Sequence, residues 1–300
     1  MFHRTITLSM VSMVSMVSLV SIAALASLPA HAAEARFDKT ISITPHGLLH
    51  VSTGAGNIHL SVGSGNQIHI VGVVKSSHCF GLCAGSGNAD AKVREIAANP
   101  PIEQTGDIVR IGAHLDNLHN ISIDYEITAP AGVTLEASSG SGDIVDDGVG
   151  TEAHLNTGSG NIHASALTGG FSVGTGSGDI VAEASTPGDV RAHTGSGNIK
   201  LRNLTGGLEA DTGSGDIQLT GKPTSRWHIT TGSGNVNFTA GSSPFNLDAS
   251  TGSGNVKFEG AAQNATMDQV RSTHHSFSAR IRGGGPMVEV RTGSGDVRID

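Results

Sequence analysis

The stretch Thr212–Ile217 reads Thr-Gly-Ser-Gly-Asp-Ile, and it decides the fold because the chain repeats it many times. Copies of the phrase, some with Asn for Asp or Val for Ile, begin at Thr157, Thr175, Thr194, Thr231, Thr251 and Thr292, with variants at Thr53 and Ser139. From Gly140 to Gly252 the first glycine recurs every 18 to 20 residues. A fixed period of this length is the sequence signature of stacked structural repeats.

Short alternating runs flank each copy of the phrase. An apolar-polar-apolar triplet such as Ile162-His163-Ala164 follows it, and alternate apolar residues such as Phe171 and Val173 come before the next copy. This alternation is typical of a half-buried strand. Two such strands bury their apolar faces only by stacking on neighbouring coils, so we predict an all-β parallel β-solenoid with coils of about 18–20 residues. The inner row changes from alanine at Ala164 to phenylalanine at Phe258, which predicts a wider core towards the C-terminus.

The phrase itself suits a tight corner. We expect the two glycines to supply backbone conformations that are closed to other residues. The threonine before them is expected to stack on the threonine of the next coil, since Thr–Thr pairs are favourable cross-strand neighbours.

The fifth position of the phrase forms a row of Asp and Asn that we interpret as a structural ladder. Its members in chain order are Asp143, Asn161, Asp179, Asn198, Asp216, Asn235, Asn255 and Asp296. The first six alternate, which avoids like charges on adjacent coils and pairs an amide donor with a carboxylate acceptor. A calcium-organised β-roll is the alternative, but half the row is Asn and Ca²⁺ prefers six to eight oxygen ligands. We therefore expect no metal and no cofactor.

Three segments depart from the repeat. Residues 1–32 carry a positive start, an apolar run and a small-residue site ending at Ala32, which predicts a cleaved secretory signal peptide; an uncleaved membrane anchor is the alternative. Residues 33–132 are predicted as an N-terminal β-rich part with one short helix at 89–98, and residues 133–300 as the regular solenoid. Residues 259–285 are an irregular insertion whose role the pattern does not indicate. We expect no membrane-spanning segment after residue 32.

The two cysteines, Cys79 and Cys83, lie in a Gly-rich loop. With an export signal, a small-loop disulfide is the favoured state, while free thiols and a metal site remain alternatives.

Composition excludes some functions and leaves others open. The formal net charge is −8 and no basic run occurs, which argues against a nucleic acid partner. No catalytic motif is present, so we predict a non-enzymatic protein. A polysaccharide-acting β-helix enzyme is the alternative, and it requires acids and bases gathered on one face near Asp146, Asp147 and His163. His274-His275, in the irregular insertion, is interpreted as a solvated loop.

Several residues together resemble a known family. An opening at Phe37–Ile41, the segments Val51–Ile58, Asn99–Ile102 and Tyr125–Ile127, and the repeated phrase look like the bacterial adhesin-like family of β-strand repeats, domain of unknown function 4097. The resemblance covers roughly residues 37–300 and implies a secreted, periplasmic or cell-surface β-solenoid, with no agreed catalytic residues. From the export signal, the stacked repeats and the absence of a catalytic motif, we expect an envelope protein or glycan as the partner. Open solenoid ends could also allow end-to-end oligomers.

Overall fold

The computed structural model describes residues 34–76, 86–112, 120–259 and 266–300. In these residues every regular element but one is a β-strand, and most strands pair in parallel. The predicted all-β parallel solenoid is therefore confirmed. The predicted helix is also present, and it begins three residues earlier than expected, at Ser86.

The elements divide into an N-terminal end, a regular middle and a C-terminal end. The N-terminal end contains β1 (Glu34–Ser42), β2 (Leu48–Thr53), β3 (Ile58–Val62), β4 (Gln67–Ser76), α1 (Ser86–Ala98), β5 (Ile102–Thr105), β6 (Ile108–Ile111) and β7 (Ile121–Ala129). The middle contains β8 (Thr134–Ser139), β9 (Ile144–Asp147), β10 (Glu152–Thr157), β11 (Ile162–Leu167), β12 (Phe171–Thr175), β13 (Ile180–Ala184), β14 (Val190–Thr194), β15 (Ile199–Thr212) and β16 (Ile217–Ser233). The C-terminal end contains β17 (Val236–Thr239), β18 (Phe245–Ser253), β19 (Val256–Phe258), β20 (Met267–Ser272), β21 (Ser276–Ile281), β22 (Met287–Ser294) and β23 (Val297–Ile299).

Each regular coil contributes one strand to each of two sheet faces, and the Thr-Gly-Ser-Gly corner joins them. Face 1, formed by strands that precede the corner, includes β8, β10, β12 and β14 and the last residues of β15 and β16. Face 2, formed by strands that follow the corner, includes β9, β11 and β13 and the first residues of β15 and β16. Pairing is in register, so Thr157 lies opposite Thr175 and Ile162 opposite Ile180.

At both ends, the coils do not stack in chain order. The first coil, β2–β3, lies between the β8–β9 coil and the strands β6 and β7. The last coil, β22–β23, lies between the strands β16–β17 and the β18–β19 coil. At each end of the solenoid, a coil from near one terminus of the folded chain therefore lies between two other layers of strands.

Antiparallel strands cover both outermost coils. At the N-terminal end, β4 pairs with β7 and β1 with β4, and α1 packs against β1 and β4 with Val93 and Ile96 buried. At the C-terminal end, β21 pairs with β18 and β20 with β21. The predicted irregular insertion thus contains a hairpin that covers the β18 edge of the β18–β19 coil, and residues 260–265 of that insertion lie outside the described residues.

The core runs along the inside of the coils and widens as predicted. Ala164 and Ala182 line it in the middle, while Trp227 and Phe238 fill it further on, with ring centroids 5.1 Å apart. Phe245 continues the aromatic row at 5.8 Å from Phe238. The Trp227 indole N–H donates to the carbonyl of Gly206, which satisfies its one polar atom inside the core.

Candidate functional site

The Asx residues of the corner form one continuous row along the solenoid. Apart from the first member of the row, each backbone N–H donates to the side-chain Oδ1 of the Asx on the adjacent coil, at 2.7–2.9 Å. Three asparagine amides, including Asn161, also donate to the aspartate beside them. In spatial order the row is Asp124, Asn57, Asp143, Asn161, Asp179, Asn198, Asp216, Asn235, Asp296 and Asn255.

The order in space restores an alternation that the order in sequence breaks. In the chain, Asn235 is followed by Asn255, and Asp296 comes last. Because the last coil is inserted between the other two, Asp296 lies between these asparagines and the row alternates throughout. At the other end, Lys75 Nζ lies 2.8 Å from Asp124 Oδ2, and this aspartate raises the pKa of Lys75. No two carboxylates are therefore neighbours in this row.

The corner threonines are buried beneath this row. Thr194 Oγ1 donates to the carbonyl of Gly178 on the adjacent coil at 2.9 Å and accepts the N–H of Gly197 at 3.1 Å. The same donor bond recurs at the other corners, in one case from Ser139. The threonines do stack in register, but their hydroxyls bond to backbone rather than to one another.

The second glycine of the phrase is required for a reason other than the predicted backbone conformation. Of the second glycines in the phrase, only Gly254 and Gly295 have left-handed φ angles. At Gly197 and its equivalents in the middle coils, a Cβ would overlap the carbonyl oxygen of the glycine on the adjacent coil. Glycine is required here because the backbones of adjacent coils approach closely, and the prediction of an unusual backbone conformation is wrong for the middle coils.

The residues that the enzyme alternative requires do not share one face. Asp146 is fully buried in the core, where it follows Leu60 and precedes Ala164 in register. Asp147 points outwards, with Oδ2 3.2 Å from His59 Nε2 and Oδ1 accepting from Ser165. His163 is exposed on face 2. Asp146 therefore cannot act together with His163 on a substrate bound to that face.

Asp146 is an unusual group for a solenoid core. Its Oδ1 accepts the Val149 N–H at 2.9 Å, while Oδ2 has no hydrogen-bond partner. Burial, with a smaller contribution from Asp147 and against the hydrogen bond from Val149, raises its pKa to about 7. The signal was present in the sequence, since Asp146 occupies the repeat position of Ala164, Ala182 and Leu201.

Among the described residues, a dense group of charged side chains lies on face 1, near the C-terminal end. We call Arg226, His228, Glu289 and Arg291 the face 1 cluster. Glu289 Oε2 accepts from Arg226 Nη2 at 2.8 Å, and Oε1 accepts from Arg291 Nε at 2.7 Å. Hydrogen bonds from Arg291 and then Arg226 lower the pKa of Glu289 to about 2. His228 Nδ1 lies 3.4 Å from Glu289 Oε2, and its Nε2 contacts Thr230.

Charged residues continue along face 1 from this cluster. Partial burial raises the pKa of Asp211, on the adjacent strand, while His228 opposes the shift. Arg191 pairs with Glu209 at 3.3 Å, and His50 contacts Glu136 at 3.1 Å further along. Sequence reasoning missed these pairs because they join outward positions on different coils, and Glu289 is reached only through the out-of-order last coil.

Other predicted features are not tested by the geometry. Within the ranges that the structure describes, no three His, Cys, Asp or Glu side chains are grouped to hold a metal ion. In the same ranges, no helix is long and apolar enough to cross a membrane. Cys79, Cys83 and the predicted signal peptide lie outside the described residues.

Comparisons with known proteins identify the family. Three solved structures match with 12–14% identity, each over 89% of this chain. They are a “putative adhesin” from Bacteroides fragilis (TM-score 0.45, 14% identity, 97% of that chain), a “putative cell adhesion protein” from Clostridium sporogenes (0.25, 14%, 98%) and a “putative adhesin” from Parabacteroides distasonis (0.34, 12%, 97%). No curated protein matches. The family model described as Toastrack DUF4097 matches residues 48–300, and the chain therefore belongs to the Toastrack DUF4097 family.

Proposed function

We propose that this chain is an exported, non-enzymatic binding protein of the cell envelope that presents face 1 to a glycan or protein partner. The observation that carries the proposal is the in-register arrangement of charged side chains along face 1, which ends in the face 1 cluster. Such rows repeat at about 4.8 Å from coil to coil, a spacing that suits an extended partner better than a small molecule. The adhesin descriptions of the three structural matches agree with this reading.

The arginines of the cluster are the contacts that we expect to matter most. Arg226 and Arg291 have side-chain exposures of 70% and 54%, whereas the Glu289 between them is only 15% exposed. Glu289 thus holds two guanidinium groups in fixed positions while their outer N–H groups stay accessible. Arginine held in this way can bind carboxylate or sulfate groups through two parallel hydrogen bonds.

A binding experiment tests this proposal directly. The purified protein is applied to a glycan array and to solubilised envelope proteins, and released sugars are assayed in parallel. We expect binding without product, and we expect the Arg226→Ala/Arg291→Ala double variant to lose it. Lys200→Ala, on face 2, is the matched control and should bind normally with an unchanged Tm. Release of oligosaccharide product would contradict a non-enzymatic function.

The export part of the proposal has its own test. Sequencing of the N-terminus of the protein recovered outside the cytoplasm should begin at Ala33. Peptide mapping without reductant should show a Cys79–Cys83 disulfide. Retention of residues 1–32, or recovery of both thiols in the free form, would contradict the respective proposal.

We also propose that the Asx row is structural and binds no metal. Each aspartate Oδ1 in the row already accepts a backbone N–H, and half the row is amide. Excess EDTA or CaCl₂ should therefore leave the Tm of the protein unchanged. A rise in Tm with CaCl₂ that EDTA reverses would show a calcium-organised roll instead.

A further inference from the structure

The last coil of the chain, β22–β23, fills a slot between two other coils. β22 pairs in parallel with β16 on one side and β18 on the other, and β23 pairs with β17 and β19. Its inward residues Val288, Val290, Val297 and Ile299 are fully buried. The slot is thus an internal position in the stack that a C-terminal segment occupies.

Both walls of the slot bind this segment with specific hydrogen bonds. Thr292 Oγ1 donates to Gly234 O at 2.9 Å, and Thr251 on the other wall donates to Gly295 O at 2.8 Å. Asp296 bonds to the Asx residues on both sides, as the alternating row requires. An empty slot would leave two rows of backbone groups unpaired and open the core. The slot therefore requires a segment with this pattern.

The connection into the slot is short and rich in glycine. Residues 282–286 read Arg-Gly-Gly-Gly-Pro and carry the chain across β18, because β21 lies on one side of that strand and β22 on the other. Arg282, Gly283 and Gly284 all have left-handed φ angles, of 52°, 86° and 81°. Arg282 is not glycine, so its conformation is strained. We call residues 282–286 the hinge.

An open, mostly polar groove that also exposes two apolar side chains lies beside the hinge. Val270 and Met287 are 49% and 44% exposed, and they are two of the three large hydrophobic residues that are exposed in the described part of the chain. Both line an open groove of about 790 Å³ that also includes Arg271 and Arg280. When two protomers exchange a segment, the hinges meet and form a new contact between the copies, so apolar residues beside the hinge would become covered there.

We propose that β22–β23 is a donor coil that two copies of this chain exchange. In the exchanged dimer, each slot is filled by the donor coil of the other copy, with the same bonds that the structure shows within one chain. Exchange of an identical element is a low-cost route to a dimer, because only the hinge changes conformation. Glu289 and Arg291 lie on the donor coil, so each face 1 cluster of the dimer combines residues of both copies. The exchange does not depend on the proposed binding function.

Cross-linking of two single variants tests the exchange in the full chain. Ser233 and Ser294 are exposed register partners on β16 and β22. Ser233→Cys and Ser294→Cys proteins are mixed at high concentration and oxidised, and peptide mapping distinguishes the 233–294 link from links to Cys79 or Cys83. We expect a covalent dimer joined through 233 and 294. The matched control mixes Ser177→Cys with Ser196→Cys, which are exposed at the same corner position of adjacent middle coils. A 233–294 yield equal to the control yield would overturn the proposal.

Hinge length provides a second test. Deletion of Gly283–Gly285 leaves two residues between β21 and β22. The two strands lie on opposite sides of β18, so they are separated by two strand spacings, or about 9.6 Å. Three Cα steps reach about 10 Å when fully extended and cannot also pass over β18. The shortened chain should therefore be dimeric by light scattering. A chain with three glycines inserted into the hinge should instead be monomeric. A shortened chain that is monomeric with the wild-type Tm would contradict the proposal. If it does not fold, the cross-linking experiment decides with the native hinge.

Discussion

The regular middle and the two ends of this solenoid are built from the same phrase but are stacked by different rules. In the middle, from β8 to β16, successive coils pair with one another in chain order. At each end, a coil from near one terminus of the folded chain is placed one position inside the stack, and antiparallel strands cover the outside. The difference shows that the local pattern specifies a coil but not its position.

The ends gain protection from this arrangement. An open solenoid end presents a row of unpaired backbone groups to other chains. Here the edge strands β1, β5 and β20 belong to antiparallel additions that carry charged and exposed side chains, whereas β19, at the edge of face 2, pairs in parallel with β23. The pairing of β20 also shifts at Gln269, whose φ is 56°, and such irregularities discourage further strand addition.

The largest expected effect concerns Asp146, at the junction of the N-terminal end and the middle. Its folded-state pKa of about 7 lies above the unfolded value, so the folded state binds more protons between about pH 4 and 7. The contribution of Asp146 to the free energy of unfolding is therefore fully present below pH 4, and it is lost as the pH rises through 7. Asp146→Asn mimics the protonated acid and should be more stable than the wild type at pH 8.5, by up to about 4 kcal/mol.

Urea unfolding of both proteins at pH 4.5 and pH 8.5 measures this difference. Asp107→Asn, at an exposed turn position, is the control and should keep the pH dependence of the wild-type protein. An Asp146→Asn advantage that is equal at the two pH values would show that the carboxyl is not titrating in the core.

The second effect contrasts a middle corner with an end corner. At Gly195, the first glycine of a middle corner, an added Cβ would overlap the carbonyl oxygen of Gly176, whereas at Gly54, the same position of the end corner, it would meet nothing within 4 Å. Gly195→Ala should cost about 3 kcal/mol, because backbone atoms of two coils must separate. Gly54→Ala should change stability by less than about 0.5 kcal/mol. Equal losses of unfolding free energy in urea would refute the close-approach explanation for the glycines.

The contrast between the regular middle and the two ends also explains how much of this fold the sequence predicts. The phrase at Thr157, Thr175 and Thr194 predicts the coil, the inward threonine and the parallel register, because all three depend on adjacent coils with one pattern. The position of Asp296 between Asn235 and Asn255 could not be predicted from the period alone, since the period assigns no order to distant coils. The alternation of Asp and Asn along the row does indicate this position for Asp296.

The candidate site was less predictable for a related reason. The pair of Arg226 and Glu289 joins residues 63 positions apart on coils that are neighbours only because the last coil is inserted. Asp146 was treated as half of a surface pair, although its repeat position is that of buried alanine and leucine. Alignment of the repeats by position, rather than by residue type, would have placed it in the core.

The third prediction tests the alternating row in the middle and at its end. Asn198→Asp places a third carboxylate between Asp179 and Asp216 and removes an amide donor. It should cost about 1 kcal/mol at low salt, since like charges on adjacent strands repel. Asn255→Asp has Asp296 as its only neighbour in the row and should cost about half as much. Thermal unfolding with and without 1 M NaCl measures both, and losses that salt leaves unchanged would contradict the charge argument.

The fourth prediction compares how the middle and the C-terminal end satisfy the equivalent glycine carbonyl. In the middle, the Gly178 carbonyl accepts from the buried hydroxyl of Thr194. At the end no further coil follows, and the Gly254 carbonyl lies 2.8 Å from His275 Nδ1 of the covering hairpin. Thr194→Val should cost about 1–2 kcal/mol because it leaves buried groups unpaired, whereas His275→Ala should cost about 0.5 kcal/mol because water replaces an exposed donor. If His275→Ala cost as much as Thr194→Val in urea unfolding, the hairpin would be as integral to the stack as a coil.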